Sequence, residues 1–395
     1  MTSPAPRQDL TPLLAPRSIA IVGVSRPGRF GGRLHENLVR AGYAGALYGV
    51  NPRYQTLYDA PCYASLRDLP ERPDCALIAV PNAGMESALE EAAACGVPAA
   101  VVFGSAHSEP APGETPLEQR LAHVAREHDM VVCGPNCMGF VAPGRGLAVS
   151  GYETRGDLAA GGVSVISHSG SVWEALLQNR RGIAFDTIVS SGNEMVTTVA
   201  DYVQHALAQP ATRAIGIFLE TVRDPATFRA ALGEAARRDV PIVVVKTGRT
   251  ERGARMAMAH SGALAGEDAV HEALFDSYGV RRATSIDEMF DTLELFATGM
   301  RPATRGVSAL LDSGGQRALL VDLAEPCGVS FAEISKTTEA RLADVLEPGL
   351  EATNPLDAVV LNRVHRLLHQ DIDDRLLHRR SRVLDGWQCS TRLGL

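Results

Sequence analysis

Lysine is almost missing from this sequence: only Lys246 and Lys336 stand among 38 basic residues. With a formal charge of −8, the chain lacks the basic balance of a nucleic-acid partner. The scarcity makes Lys246 chemically rare. Long apolar runs are missing too. The opening Met-Thr-Ser-Pro-Ala-Pro-Arg leads into none, so neither a signal peptide nor a membrane span is expected, and a cytoplasmic location is. The seven cysteines, at 62, 75, 95, 133, 137, 327 and 389, are odd in number and irregular in spacing. No pair has the usual zinc spacing, which favours reduced thiols and no metal centre. Cys133 and Cys137 stand four apart, and a metal there would need further ligands that the sequence does not point to.

What remains is a chain of 395 residues, 45% hydrophobic, which is enough for two or three domains. The first is expected at 11–150. Ser18 to Val24 is an apolar strand, Ser25 to Gly32 a glycine-rich turn, and Arg33 to Ala41 a helix stopped by Gly42. Strand, glycine turn and helix together cradle a diphosphate with backbone amides. Gly23 and Gly28 are separated by four residues, so the spacing is not Gly-x-Gly-x-x-Gly, and no Walker lysine is present. After a second strand comes Asn51-Pro-Arg53, where a dinucleotide dehydrogenase often carries an acid for the ribose diol. Arg53 suits a ribose bearing a phosphate, with a plain surface turn as the alternative. Cys75 to Val80, ending at Pro81, Ala99 to Phe103 and Met130 to Cys133 continue the strands, with helices between. Such alternation makes a doubly wound α/β sheet. Gly134-Pro-Asn136-Cys137 should face the same crevice, with Cys137 read as packing rather than as a nucleophile.

A second domain is expected at 155–300. Gly162 to Ile166 is a strand, followed by Ser167-His-Ser-Gly-Ser171 and a helix from Val172. Ser169, Gly170 and Ser171 then form a helix start suited to phosphate without a cation. His168 reads as structural. Further strands end at Gly192-Asn-Glu194, at Glu220 and at Lys246-Thr247; the last follows Ile242 to Val245, four β-branched residues typical of a buried parallel strand. His260 lies among small neighbours in Ala259-His-Ser-Gly262. An accessible imidazole has a nucleophilic nitrogen that can carry a phosphoryl group. A loop histidine without a role is the alternative. Ser167 to Ser171, Glu220, Lys246 and His260 are expected along one edge, with Glu220 accepting the second ring proton of His260. A partial third α/β domain spans 305–357, with too few strands to close a sheet. The tail, 358–395, carries seven arginines and no lysine, and reads as a short arm or an altered end.

Several motifs now combine: Gly23-Val-Ser25 with Gly28, Asn51-Pro-Arg53, Gly134-Pro-Asn-Cys137, Ser167-His-Ser-Gly170, Ser191-Gly-Asn-Glu194, Leu219-Glu220 and Ala259-His-Ser-Gly262. On these the chain resembles the NDP-forming acyl-CoA synthetases, which include succinyl-CoA ligase alpha subunits and ADP-forming acetate–CoA ligases. The resemblance runs from about Leu13 to Asp357. It implies a Rossmann-like CoA-binding domain followed by flavodoxin-like α/β domains, the last incomplete. Coenzyme A would meet Gly23, Ser25, Arg26, Gly28, Asn51, Arg53, Val80, Pro81 and Asn136. His260 would be the phosphorylated histidine, Glu220 its orienting acid, and Ser169 to Ser171 a phosphate-stabilising helix start. The implied reaction joins a small carboxylic acid to CoA through phosphohistidine and acyl phosphate. The family's ATP-grasp part has no counterpart here, so ATP and magnesium would come through an ATP-grasp beta-like partner. Homo-oligomerisation is compatible with the same resemblance. The rival readings are a CoA-binding regulator or scaffold without turnover, and a NAD-linked oxidoreductase.

Overall fold

The computed structural model describes residues 8–357, apart from 108–112, 179, 254, 257–267, 301–305 and 312. It has two compact units, Met1–Gly299 and Met300–Leu395.

The first unit contains two seven-stranded sheets. In the first sheet the chain forms β1 (Ser18–Val22), β2 (Ala46–Val50), β3 (Thr56–Leu57), β4 (Ala60–Tyr63), β5 (Cys75–Ile78), β6 (Ala99–Val102) and β7 (Val131–Cys133). β1, β5 and β6 are buried along their whole length, as strands covered on both faces must be. The order is β3-β4-β2-β1-β5-β6-β7, parallel except for the β3–β4 pair. Succession reverses between β1 and β5. Helices then leave those two strands on opposite sides, and a crevice opens at their carboxyl ends. The helix Phe30–Ala41 follows β1 and ends at Gly42, whose left-handed φ of 82° lets its N–H reach the Leu38 and Val39 carbonyls.

The second sheet holds β8 (Gly139–Ala142), β9 (Leu147–Val149), β10 (Ala160–Ser167), β11 (Phe185–Ser190), β12 (Ala214–Leu219), β13 (Ile242–Lys246) and β14 (Arg281–Ala283). Its order is β14-β13-β12-β10-β11-β8-β9. The five parallel strands β10 to β14 follow the 2-1-3-4-5 winding of flavodoxin-like sheets, with the reversal between β10 and β12. β8 and β9 extend the β11 edge antiparallel. A domain boundary near residue 150 therefore falls after two strands that belong to the second sheet. Apolar alternation identifies a strand but not the sheet it joins, because both sheets offer the same kind of surface.

One apolar layer runs across both sheets. Ile21, Leu77 and Val101 belong to it together with Val189, Ile217 and Phe228. A polar tie crosses the same junction. Buried Asn37 donates through Nδ2 to the carbonyls of Ser150, at 2.8 Å, and Tyr152, at 2.6 Å.

In the second unit, β15 (Leu310–Leu311) pairs parallel with β16 (Leu356–Asp357). Helices Gly314–Ala324 and Lys336–Ala343 lie between them in sequence. Asn354 holds this unit's turn by donating to the Val307 and Ala332 carbonyls and accepting from the Ala309 amide. The expected tail, 358–395, lies outside the described residues.

Asn37→Asp is a near-isosteric test of the junction, since it sets an acceptor against two carbonyls. It should lower stability by about 2–4 kcal/mol at neutral pH, read as a lower urea midpoint. An unchanged midpoint would remove Asn37 from the junction's energetics.

Candidate functional site

Both strand-order reversals carry residues singled out by the sequence. At the first, β1 runs into Gly23, whose φ is 90°. A Cβ there would lie 2.6 Å from the Ala79 carbonyl oxygen, so only glycine lets this loop rest on the end of β5. Val80 and Pro81 follow at that strand end, Val80 half-buried and Pro81 exposed. The helix starts at Phe30, three residues before the expected Arg33, so Gly31 and Gly32 lie inside it. The reason is steric. Cβ atoms at these positions would lie 2.3 Å from the Gly23 and Arg26 carbonyl oxygens. The missing side chains let the helix begin directly under the loop.

Side chains then hold the loop's shape. Ser25 Oγ accepts from the Gly32 amide at 3.0 Å, and Tyr58 donates to the Ser25 carbonyl at 2.8 Å. Burial pushes the Tyr58 hydroxyl up to about 12. Asn51 donates to the Val24 carbonyl at 2.8 Å and accepts from the Arg53 amide at 3.0 Å, which fixes the β2 end against the β1 loop. Arg26, Gly28 and Arg53 are exposed around it. The Gly28 amide donates to the Glu36 carboxylate at 3.2 Å, so it already meets an anionic oxygen. The crevice thus offers backbone amides and two arginines, and suits a phosphorylated ligand.

Asn136 touches the first sheet's end, its backbone amide donating to the Gly104 carbonyl at 2.8 Å. Its loop bridges the sheets. The Pro135 carbonyl accepts from the Asn193 amide, and Asn136 Nδ2 lies 3.4 Å from Asn193 Oδ1. A Cβ on Gly192 would stand 2.1 Å from the Pro135 oxygen, so that position admits only glycine. Cys137 is buried, and burial raises its thiol well above the ordinary range, in keeping with packing.

At the second reversal, β10 ends in Ser167 and the helix Gly170–Gln178 begins. Ser169 Oγ and Ser171 Oγ lie 3.0 Å apart, and Ser169 Oγ also accepts from the Val172 amide at 3.4 Å. Two hydroxyls and first-turn amides meet at one helix start, where the dipole favours an anion. Beside it a small polar cavity is lined by Asn136, His168, Asn193, Glu194, Glu220 and Arg223. His168 is buried, with Nε2 2.8 Å from Glu194 Oε1, and its Nδ1 accepts from the Glu220 amide at 3.2 Å. Lys246 is also buried, and its Nζ donates to the Glu220 carbonyl at 2.9 Å and the Thr247 carbonyl at 2.5 Å. Burial lowers the Lys246 pKa from its ordinary value.

The expected edge of Ser167 to Ser171, Glu220 and Lys246 is therefore assembled. His260 falls within 257–267 and lies outside the described residues. Glu194 and His168, the latter read from the sequence as structural, stand inside this cavity. The strand-end position of Ser191-Gly-Asn-Glu194 was a signal for the first, and a polar ring directly after a buried strand was a signal for the second. No group of three metal-ligating side chains occurs among the described residues, and no helix among them is long and apolar enough to cross a membrane.

Comparison with known proteins bears on both halves. Residues 17–143 match the CoA binding domain, and residues 160–296 the succinyl-CoA ligase like flavodoxin domain. The chain is 32% identical over 356 residues to the alpha subunit of ADP-forming acetate–CoA ligase I of Pyrococcus furiosus, covering 88% of this chain and 76% of that subunit. The chain belongs to the NDP-forming acyl-CoA synthetase family. It is also 30% identical over 347 residues to the ADP-forming acetate–CoA ligase of Methanocaldococcus jannaschii, covering 87% of this chain and 48% of that protein. This family member thus spans about half the length of several curated relatives. Among solved structures it is similar to the dinucleotide-forming acetyl-coenzyme A synthetase 1 of Ca. Korarchaeum cryptofilum, in complex with phosphate and ADP. That match has a TM-score of 0.80 at 28% identity and covers 88% of this chain and 75% of the other. The Rossmann-like and flavodoxin-like order expected from the sequence is the order observed.

Gly31→Ala tests the first crevice. Alanine ordinarily stabilises a helix by about 1 kcal/mol over glycine. Here the sign should reverse, with a lower thermal midpoint, because the added methyl meets the Gly23 carbonyl. A raised midpoint would show that the loop can move away freely.

Proposed function

We propose that this chain is the CoA-binding, phosphohistidine-bearing part of an ADP-forming acyl-CoA synthetase. The observation that carries this reading is that one compact unit holds two strand-order reversals, each ending in a phosphate-suited glycine or serine turn. In this reading CoA lies over Gly23, Ser25, Arg26 and Gly28, with its ribose phosphate near Arg53 and its further contacts at Asn51, Val80, Pro81 and Asn136. Residues from about 11 to the end of β7 form the CoA domain, the second sheet from β8 to about residue 300 the phosphohistidine domain, and 305–357 part of a third. The printed names of the relatives, acetate–CoA ligase among them, support a carboxylic acid as the acyl donor.

The chemistry runs in three balanced steps. The γ-phosphoryl of ATP passes to a ring nitrogen of His260 and ADP leaves. A substrate carboxylate oxygen then takes the phosphoryl group, giving an acyl phosphate and free His260. Finally the CoA thiol attacks the acyl carbon, loses its proton and expels inorganic phosphate. These steps need positioned donors around a moving phosphoryl group more than a strong base. Ser169 to Ser171 supply hydroxyls and amides to it, and Glu220 orients His260. ATP and magnesium enter through an ATP-grasp partner, a reading supported by a relative named as a subunit alpha.

Two measurements test this. Calorimetry with CoA and with NAD should give saturable binding of CoA only; binding of NAD without CoA would return the first sheet to the oxidoreductases. Acetyl-CoA with labelled inorganic phosphate should phosphorylate the chain without ATP, by the last two steps in reverse. The label should map to the 253–266 segment and vanish in His260→Asn with CoA binding unchanged. Glu220→Gln should lower the labelled fraction about ten-fold, since one charge-assisted partner is worth about 1.5–3 kcal/mol. Label persisting in His260→Asn would place the chemistry on another residue.

A further inference from the structure

Glu220 stands one residue beyond the end of the β12 ladder. The last pairs of β12 are Phe218 with Ser167 on one side and Leu219 with Lys246 on the other. The neighbouring strand still reaches the Leu219 carbonyl, which accepts from the Thr247 amide at 3.0 Å. The N–H and the carbonyl of Glu220 itself are met by two buried side chains. His168 Nδ1 takes its N–H at 3.2 Å, and Lys246 Nζ gives to its carbonyl at 2.9 Å. A backbone amide can only donate, so Nδ1 must be unprotonated. The ring proton is then on Nε2, where Glu194 Oε1 accepts it at 2.8 Å. The His168 and Glu194 side chains are 4% and 1% exposed, so solvent does not compete for either bond. A doubly protonated ring would turn an N–H toward the Glu220 N–H and break the hold.

We propose that His168, kept in this tautomer by Glu194, is a positioning residue for Glu220 and through it for the phosphoryl acceptor. This rests on the reading of His260 and Glu220 given above. His168 itself takes no part in bond making. Its ring supplies an acceptor on one edge and a donor on the other, and the first of these sets where the Glu220 main chain turns out of the sheet. Glutamine also carries an acceptor and a donor at its end, whereas leucine fills similar space with neither. A packing role would prefer leucine; a positioning role prefers glutamine.

The test uses the full chain with acetyl-CoA and labelled inorganic phosphate, with label mapped to His260. His168→Leu should lose label by about ten-fold or more, the scale of one buried partner left unpaired. His168→Gln should stay within about three-fold of the wild type, and both should bind CoA as the wild type does. Label in His168→Leu equal to the wild type overturns the proposal. So does a His168→Gln variant as poor as His168→Leu with its thermal midpoint intact. Should His168→Leu not fold, nitrogen NMR of the wild-type ring decides: a neutral ring with its proton on Nε2 supports the proposal, and a proton on Nδ1 overturns it. A wild-type chain that takes no label on His260 is a different failure, and it overturns the functional reading on which the proposal stands.

Discussion

The peptide of Glu220 is held on both sides by groups that are costly to bury. A lysine ammonium and an imidazole–carboxylate pair would each oppose folding if left without partners. Here their hydrogen bonds go to one another or to main chain that the sheet leaves unpaired. The sheet needs them where its ladder stops, and they need the sheet's loose ends. In a chain with two lysines, one is spent on a main-chain contact deep at a strand tip. That exchange fixes the tip of β12 in a place where polar chemistry can be directed.

The same logic, with glycine in place of charge, shapes the first crevice. Gly23, Gly31 and Gly32 each stand where a methyl group would collide with a carbonyl oxygen. Their absence of side chains brings the helix Phe30–Ala41 directly under the loop. Ser25, Asn51 and Tyr58 then lock that loop by bonds to its backbone. One site is built by removing bulk and the other by burying charge. Both stand at strand-order reversals, because only there do neighbouring connections part and leave strand ends open.

The two sites are joined by the Gly134–Gly139 segment. It leaves β7 of the first sheet, packs Pro135 on Gly192, and enters β8 of the second. The shared apolar layer below it makes one unit of both sheets. A ligand long enough to be held by phosphates in the first crevice and to react in the second is compatible with this arrangement. The proposed reaction, in which a thiol on a nucleotide handle meets an acyl phosphate, calls for such a pairing.

Much of this was written in the chain itself. Apolar runs at short spacing, each closed by glycine, proline or serine, determined a doubly wound α/β protein. The order of Ser169-Gly-Ser171 after a strand determined an anion-suited helix start, because those features depend on neighbours a few residues apart. The tertiary structure alone decided the rest. β8 and β9 joined the second sheet because pairing depends on which edge is free, and an apolar strand carries no mark of its partner. His168 read as structural because its two bonds reach 26 and 52 residues away, to Glu194 and Glu220. Lys246 was conspicuous as a rarity, yet what it grips is two main-chain carbonyls, and every residue has one. Contacts with main chain leave no trace in side-chain identity, so only the folded geometry reveals them.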